Sequence, residues 1–210
     1  MTSKIALIKK MNHKVIFGVD EVGRGSLAGP VVACALWISD NFFLKEIKSQ
    51  CGISKIHDSK KTSPLKREEI FLCAHKKLKF SFGTISSKKI DAVNIHNATL
   101  LAMKMAVEKL IKKIKQDPQL ILIDGIYKIP NLGFNQKTII RGDTKEPAIS
   151  LASICAKVYR DALMSKKFNK RYPEYKFSIH KGYGTKLHFS CIKKHGISSI
   201  HRKTFLKKFL

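Results

Sequence analysis

The segment LILIDG at residues 120–125 constrains the fold more than any other feature of this sequence. Four consecutive apolar residues predict a short strand, and the absence of alternation is typical of a strand that is covered on both faces. The strand delivers Asp124, followed by a glycine, at its carboxyl end, where open α/β sheets build their sites. An aspartate that only ends a strand in a turn would show the same pattern.

Hydrophobic periodicity predicts the other elements. We predict strands over residues 15–20, 30–38, 79–85, 120–124 and 138–141, and helices over residues 64–77, 97–115 and 147–168. Ser63 followed by Pro64 is typical of a helix start, with the serine as N-cap. Because strands with short connections come first and strand–helix alternation follows, we expect an α/β fold with a mixed sheet and helices packed against it.

The net charge indicates a polyanionic partner. The 210 residues include 41 Lys and Arg against 15 Asp and Glu, a formal charge of +26. Such a chain attracts nucleic acid first and an anionic membrane second. Only six of the basic residues are arginine, so a lysine-rich genome composition would also explain the excess. No acid follows Glu174, and we therefore expect residues 166–210 to form a basic extension of a main domain at residues 1–165.

The cysteines and the apolar runs indicate the compartment. Five cysteines are scattered without a CxxC pair, which argues against a disulfide framework and against zinc, and we expect all five to be thiols. The first 14 residues have no signal-peptide core, and the longest apolar run, residues 31–38, is too short to cross a bilayer. These features predict a protein of the reducing cytoplasm with no membrane association.

Two further segments place acids at the ends of predicted elements. In GVDEVGRG at residues 18–25, an apolar strand leads into Asp20 and Glu21, followed by an arginine between two glycines. An ordinary turn, with Arg24 as the ion-pair partner of a carboxylate, is the alternative interpretation. Asp143 precedes a helix that begins with proline, and an ordinary N-cap would explain it as well.

Taken together, these four acids suggest a metal-dependent nuclease. No histidine or cysteine pattern accompanies them, and an all-oxygen donor set suits Mg²⁺ or Mn²⁺ rather than zinc. Two such ions can hold the attacking and the leaving oxygen of an in-line phosphoryl displacement. A non-catalytic nucleic-acid-binding protein is the alternative, although acids near a phosphate path would weaken its binding. A membrane-surface protein is a third alternative, but a basic amphipathic helix with aromatic anchors is missing.

Several motifs resemble the type 2 ribonuclease H family, and ribonuclease HII more closely than ribonuclease HIII. They are, in family order, DEVGRG and LAGP at residues 20–30, DSKK at 58–61, IDG at 123–125, GD at 142–143, SLASICAKVYRD at 150–161 and HKGYGT at 180–185. Ribonuclease HIII carries lysine at the position of Arg24, and it has an added N-terminal domain.

The resemblance implies a fold and an activity. It implies an RNase H-like fold with a mixed five-stranded sheet flanked by helices and with a helical C-terminal extension. It further implies a monomeric endonuclease of ribonucleotide excision, replication and repair. This enzyme would cleave the RNA strand of RNA–DNA hybrids, and single ribonucleotides in duplex DNA, leaving 3′-hydroxyl and 5′-phosphate ends. Asp20, Glu21, Asp124 and Asp143 would be its catalytic acids and would hold two Mg²⁺ or Mn²⁺ ions.

The resemblance also implies which residues bind the substrate. Backbone groups of Gly23, Arg24 and Gly25 would read the ribose 2′-hydroxyl, which distinguishes RNA from DNA. Tyr183 would stack on the sugar next to the cleaved junction. Lys60, or the lysine that follows it, would contact a phosphate.

Other polar residues near these motifs have simpler interpretations. We interpret Asp161 as a structural residue in an ion pair or cap, because an aspartate in mid-helix is usually on the surface or in a salt bridge. His180 and His188 are interpreted as packing residues or phosphate neighbours, not as metal ligands. The tail at residues 200–205 is expected to face nucleic acid or to close the core.

Overall fold

The computed structural model describes residues 15–38 and 62–207. The strands are β1 (Ile16–Val22), β2 (Val31–Ile38), β3 (Lys79–Ile85), β4 (Leu120–Asp124) and β5 (Gln136–Ile139). The helices are α1 (Pro64–Lys77), α2 (Ser87–Ile114), α3 (Gly142–Lys145), α4 (Pro147–Ala162), α5 (Asn169–Arg171), α6 (Phe177–His180) and α7 (Lys186–His195). A π-helical segment, Leu163–Phe168, continues α4, and two 3₁₀ turns lie at Pro173–Tyr175 and Lys203–Phe205.

The five strands form one mixed sheet in the order β3-β2-β1-β4-β5. β1 pairs antiparallel with β2, which pairs antiparallel with β3, whereas β4 runs parallel to both β1 and β5. The predicted mixed sheet is therefore confirmed. Since Val19 is in register with Ile123, the parallel strands β1 and β4 bring Asp20 and Asp124 to the same edge of the sheet.

Helices cover both faces of the sheet. On one face, Phe17 and Val19 of β1 pack with Leu110 of α2 in a fully buried cluster. On the other face, α4 and α1 form a second cluster with β2 and β3. α4 lies very close to β1 at Gly18, where an added Cβ would be 2.3 Å from the carbonyl carbon of Ala148. This close contact fixes the position of α4, which also contributes to the candidate site.

The second helix starts ten residues earlier than its predicted start at residue 97. Its regular course is interrupted at Asn94, which has φ 64° and ψ 166°. The Asn94 side chain accepts a hydrogen bond from the N–H of Asn97 at 3.0 Å and so caps the predicted segment. The extra turns begin at Ser87, where Ser86 is the N-cap. Their short and largely polar sequence carries little periodicity, and tertiary packing decides their conformation.

Other predicted elements are close to those observed. The N-cap role of Ser63 is confirmed, because its side chain accepts from the N–H of Lys66. The predicted last strand lies two residues earlier, at β5, and it is followed by Arg141 in the left-handed region with φ 55°. Within residues 15–38 and 62–207, no helix has the length and hydropathy required to cross a membrane.

Three of the predicted thiols are confirmed. Cys34, Cys155 and Cys191 are buried and not oxidised. The prediction for Cys73 is wrong, since this residue is disulfide-bonded. Cys51 lies outside the described residues, so its prediction stays open.

A third cluster joins the C-terminal region to the loop between β1 and β2. Ala28 of this loop is buried with Met164, Tyr175, Phe177 and Leu206. The segment proposed as a C-terminal extension therefore packs directly against the residues that follow the first two acids.

Candidate active site

The four predicted acids line one cavity of about 270 Å³ at the carboxyl edge of β1 and β4. Asp20 and Glu21 lie within β1, which continues to Val22, so the alternative of an ordinary turn at this point is wrong. Asp124 is the last residue of β4. Because β4 pairs in parallel with β1, Asp124 lies beside Asp20 and Glu21. Asp143 belongs to α3, the short helix that follows β5.

Asp20 is held in a buried and electrostatically crowded position. Its side chain is only 4% exposed, and it accepts hydrogen bonds from Ser153 and, at 2.7 Å, from the N–H of Glu21. Burial raises the pKa of Asp20 well above its ordinary value, and the nearby carboxylates of Glu21 and Asp124 raise it further. Burial also raises the pKa of Glu21, although Arg24 opposes the effect from 3.3 Å. A positive charge between these groups would relieve the repulsion.

Asp124 and Asp143 are connected through the turn before α3. The Asp124 Oδ1 atom accepts a hydrogen bond of 2.7 Å from the N–H of Gly142. An added Cβ on Gly142 would lie 2.6 Å from the Cδ1 atom of Ile149, so a larger residue here would require the Ile149 side chain to move. Asp143 is 5% exposed. It is not the N-cap of α4, because Glu146 occupies that position, and the N-cap alternative is therefore wrong.

The donor chemistry of this cavity fits a hard divalent cation. Four carboxylates line it. Burial and then the repulsion from Glu21 and Asp124 raise the pKa of Asp20, and a bound divalent cation would stabilise its charged form. Among the described residues, no three His, Cys, Asp or Glu side chains are already gathered into a cluster that could hold a metal ion. The residues that could hold one are the four carboxylates of the cavity, Asp20, Glu21, Asp124 and Asp143.

Three of the four predicted substrate-binding positions in the described region lie in the loop after β1. Gly23 has φ +88°, and an added Cβ would lie 2.1 Å from the Arg160 Nε atom. Arg24 pairs with Glu21, so the ion pair of the alternative interpretation is present although its turn is not. An added Cβ on Gly25 would have no atom within 4 Å. Tyr183 lies across the same cavity as the acids, so the structure brings it together with them. The predicted phosphate contact, Lys60, lies outside the described residues.

Sequence reasoning missed several residues that line the cavity. Arg67 from α1 and Ser153 and Lys157 from α4 complete its wall. The spacing of four between Ser153 and Lys157 places both on one face of a helix, and this spacing was the available signal. Lys157 also pairs with Asp161 at 3.0 Å, so the interpretation of Asp161 as an ion-pair residue is confirmed.

The two histidines near Tyr183 are packing residues. His180 and His188 stack with their ring centroids 4.2 Å apart. The His188 Nε2 atom lies 3.0 Å from the His201 Nε2 atom, and the His188 Nδ1 atom lies 3.0 Å from the carbonyl oxygen of Tyr183. The tail therefore closes the core at His201, which was one of the two roles expected for residues 200–205.

The sequence model of the ribonuclease HII family matches residues 17–208 of this chain. The chain belongs to the ribonuclease HII family. It is 49% identical over 199 residues to ribonuclease HII of Caldicellulosiruptor bescii, with 94% of this chain and 89% of that protein covered. Ribonuclease HII enzymes are nucleases of the type 2 ribonuclease H class, and metal dependence is typical of the family.

Solved structures show the same fold. The ribonuclease H2 of Pyrococcus horikoshii OT3 matches with a TM-score of 0.73 at 24% identity, with 92% of this chain and 96% of that chain covered. Bst-RNase HIII in complex with Mn²⁺ matches with a TM-score of 0.72 at 15% identity, with 94% and 66% covered. The ribonuclease HII chain thus has the RNase H-like fold that the motifs imply.

Proposed function

We propose that this ribonuclease HII family member hydrolyses the phosphodiester bond at single ribonucleotides embedded in duplex DNA, and also cleaves the RNA strand of RNA–DNA hybrids. In both cases it would leave 3′-hydroxyl and 5′-phosphate ends. The observation that carries the proposal is the convergence of Asp20, Glu21, Asp124 and Asp143 on one cavity in a chain of net charge +26. We further propose that the protein acts as a monomer in the cytoplasm, with residues 166–210 as an extension of the catalytic domain.

The four carboxylates are the proposed ligands of two Mg²⁺ or Mn²⁺ ions. When bound, such ions lower the pKa of water and neutralise charge on the phosphate oxygens. The protein itself orients the ligands, because Ser153 holds Asp20 and the Gly142 N–H holds Asp124. Fixed carboxylates lose little freedom when the substrate arrives, which favours a defined geometry at the scissile phosphate.

The substrate-binding groups lie beside these acids. Backbone groups of Gly23, Arg24 and Gly25 are proposed to read the 2′-hydroxyl, and Tyr183 to stack on the neighbouring sugar. The Tyr183 ring lies 5.2 Å from the Lys157 ammonium and 5.3 Å from the Arg160 guanidinium carbon. These cations fix the ring at the cavity wall. Lys60 remains the proposed phosphate contact.

A non-catalytic nucleic-acid-binding protein is disfavoured by the position of its acids. Asp20 and Asp143 are buried beside a cavity that four carboxylates line, so a phosphate bound there without a cation would lie close to several negative charges. Only an enzyme that holds cations at this point gains from such an arrangement. Removal of one acid would improve binding by the non-catalytic protein and would abolish turnover by the enzyme.

The test uses a DNA duplex that contains one ribonucleotide, incubated with protein and Mg²⁺, Mn²⁺ or a chelator, and maps the cut. We expect cleavage with the metals, none with chelator, and loss of cleavage in Asp124→Asn while binding survives. Asp117→Asn is the matched control, because this aspartate is exposed and lies outside the cavity. Turnover at the wild-type rate by Asp124→Asn would contradict the assignment. Cleavage only within runs of ribonucleotides would contradict recognition of a single 2′-hydroxyl.

A further inference from the structure

The loop at residues 23–30, which we name the glycine loop, is held by two buried arginines. It connects β1 to β2 and carries the groups proposed to read the ribose. Arg160 comes from α4, and Arg202 comes from the C-terminal tail, more than 170 residues away along the chain. Both side chains are fully buried, with 0% of their surface exposed.

Arg202 binds the two ends of the glycine loop at once. Its Nη2 atom donates to the carbonyl oxygens of Gly23 at 2.7 Å and Gly29 at 3.0 Å. Its Nη1 atom donates to the carbonyl of Arg24 at 2.7 Å, and its Nε atom donates to Gly29 at 3.1 Å. The planar guanidinium therefore determines the distance and orientation of peptide groups on both sides of the loop.

Arg160 holds the middle of the same loop. It donates to the Ser26 hydroxyl at 2.6 Å, to the Ala28 carbonyl at 3.1 Å and to the Pro30 carbonyl at 2.9 Å. The Ser26 hydroxyl in turn donates to the carbonyl of Gly23 at 2.8 Å. The two arginines thus turn the loop carbonyls toward the protein interior.

Burial of two neighbouring arginine charges costs more free energy than an ordinary structural contact. Burial lowers the pKa of both arginines, and the charge of Arg160 lowers that of Arg202 further. Within the part of the chain that the structure describes, no carboxylate lies at ion-pair distance from either guanidinium. The loop carbonyls take the place of a counter-ion. In a trans peptide the N–H points opposite to the C=O. Because the carbonyls of Gly23 and Arg24 face Arg202, the N–H groups of the same two peptides point away from it.

The N–H groups of Arg24 and Gly25 are available on that side. Among the described residues, neither donates to a backbone acceptor. Arg24 lines a second cavity together with Glu21 and Asp124, two of the four acids, and Gly25 follows it in the chain. Two N–H donors whose peptide carbonyls are bound by a rigid guanidinium have a fixed direction, and they can donate hydrogen bonds to a hydroxyl oxygen at one defined position.

The tail is anchored so that Arg202 stays in position. Asp91 of α2 accepts hydrogen bonds from the N–H groups of Lys203 at 2.9 Å and Thr204 at 3.0 Å, and from the Thr204 hydroxyl at 2.6 Å. On the other side of Arg202, its own N–H donates to the Leu27 carbonyl at 2.8 Å. The tail and the glycine loop are therefore one hydrogen-bonded unit.

We propose that Arg202 is a positioning residue for ribose recognition, acting through the carbonyls of the glycine loop, and that Arg160 supports it. This inference rests on the proposed function. It adds that the C-terminal tail is part of the device that distinguishes RNA from DNA, although it need not touch the substrate.

The test compares Arg202→Ala with wild type on the duplex that contains one ribonucleotide. A misplaced donor pair costs turnover, whereas duplex affinity depends mainly on phosphate contacts, so kcat should fall on the order of a hundredfold with little change in Kd. Free guanidinium at millimolar concentration should restore part of the activity, and sodium at the same ionic strength should not. Arg202→Lys should behave like Arg202→Ala, because one ammonium group cannot reproduce the planar contacts.

Lys203→Ala is the matched control, since it removes an exposed positive charge from the adjacent position of the tail. It should keep the wild-type kcat. Circular dichroism and thermal unfolding report whether each variant folds. If Arg202→Ala does not fold, Asp91→Ala decides the question, because it releases the tail from the surface of α2 while Arg202 remains. A reduced kcat at unchanged Kd in that variant would support the proposal.

A wild-type kcat in folded Arg202→Ala would overturn the proposal. Where that protein does not fold, a wild-type kcat in Asp91→Ala would do so. Failure of the proposed function is a separate outcome, since the wild-type protein itself would then leave the duplex uncut. A loss of activity in folded Arg202→Ala that guanidinium does not reverse would likewise count against positioning by this group.

Discussion

Three buried histidines make the stability of this protein sensitive to mild acid. His188 and His201 are 0% and 2% exposed, and their Nε2 atoms lie 3.0 Å apart. His180 stacks on His188, and Phe177 packs against all three rings. Because one Nε2 atom must donate and the other accept, the contact between His188 and His201 requires at least one neutral ring.

Burial lowers the pKa of His188 and of His201 to about 4, from an ordinary value of 6.5. The neighbouring His180 contributes to both shifts, and the positively charged Lys181 and Arg202 lie on adjacent parts of the chain. The unfolded chain therefore binds more protons than the folded one between pH 6.5 and pH 4. The contribution of these neutral rings to the free energy of unfolding is fully present above pH 6.5, and it is lost as the pH falls through this window.

The expected loss follows from these values. A pKa unit corresponds to about 1.4 kcal/mol, so one ring with a folded pKa of about 4 costs about 2 kcal/mol of stability between pH 7.5 and pH 5. The raised pKa values of Asp20 and Glu21 act in the opposite direction, since these groups take up protons more readily in the folded state. A comparison of wild type with a histidine variant removes their contribution.

The assay is urea unfolding of wild type and His201→Gln at pH 7.5 and pH 5. We expect wild type to be the more stable protein at pH 7.5, where the contact with His188 is intact, and we expect this advantage to shrink by about 2 kcal/mol at pH 5. His195→Gln, an exposed change in α7, is the control and should follow wild type at both pH values. An advantage that is the same at both pH values would refute the argument from buried neutral rings.

Three other changes test the packing, the capping and the site. Gly83→Ala should destabilise the fold by at least about 1–3 kcal/mol in urea unfolding, because its Cβ would lie 1.9 Å from the carbonyl oxygen of Ala102 in α2. Ser63→Ala should lower the free energy of unfolding by about 1 kcal/mol in the same assay, since it removes the N-cap of α1. Tyr183→Ala should lower kcat/KM on the duplex with one ribonucleotide, whereas Tyr183→Phe should keep it, because stacking on a sugar requires the ring and not the hydroxyl.

Local patterns predicted the elements that build the site. The unalternating apolar run before Asp124 correctly predicts a strand buried on both faces, and the Ser63–Pro64 pair correctly predicts the start of α1. The acids were found because each one ends or closely follows a predicted element whose pattern is visible within a few residues. Their convergence on one cavity required in addition the parallel pairing of β1 with β4, which general sheet rules favour but local sequence does not specify.

Residues whose position depends on distant partners were not predictable in this way. Arg67, Ser153 and Lys157 line the cavity only because α1 and α4 pack on the same face of the sheet. The first turns of α2 form against the sheet, although their own periodicity is weak. Packing between elements supplies this information, and it is absent from any short segment.

The sequence by itself determined most of the strand and helix pattern, the four acids at or near the ends of predicted elements and, through the resemblance, the family. It also carried a basic tail without acids, whose residues 200–205 were expected either to face nucleic acid or to close the core. The tertiary structure alone decided that Arg202 within this tail is completely buried. The physical reason is that its charge is stabilised by backbone carbonyls of Gly23, Arg24 and Gly29, and carbonyls are present at every residue and leave no trace in sequence.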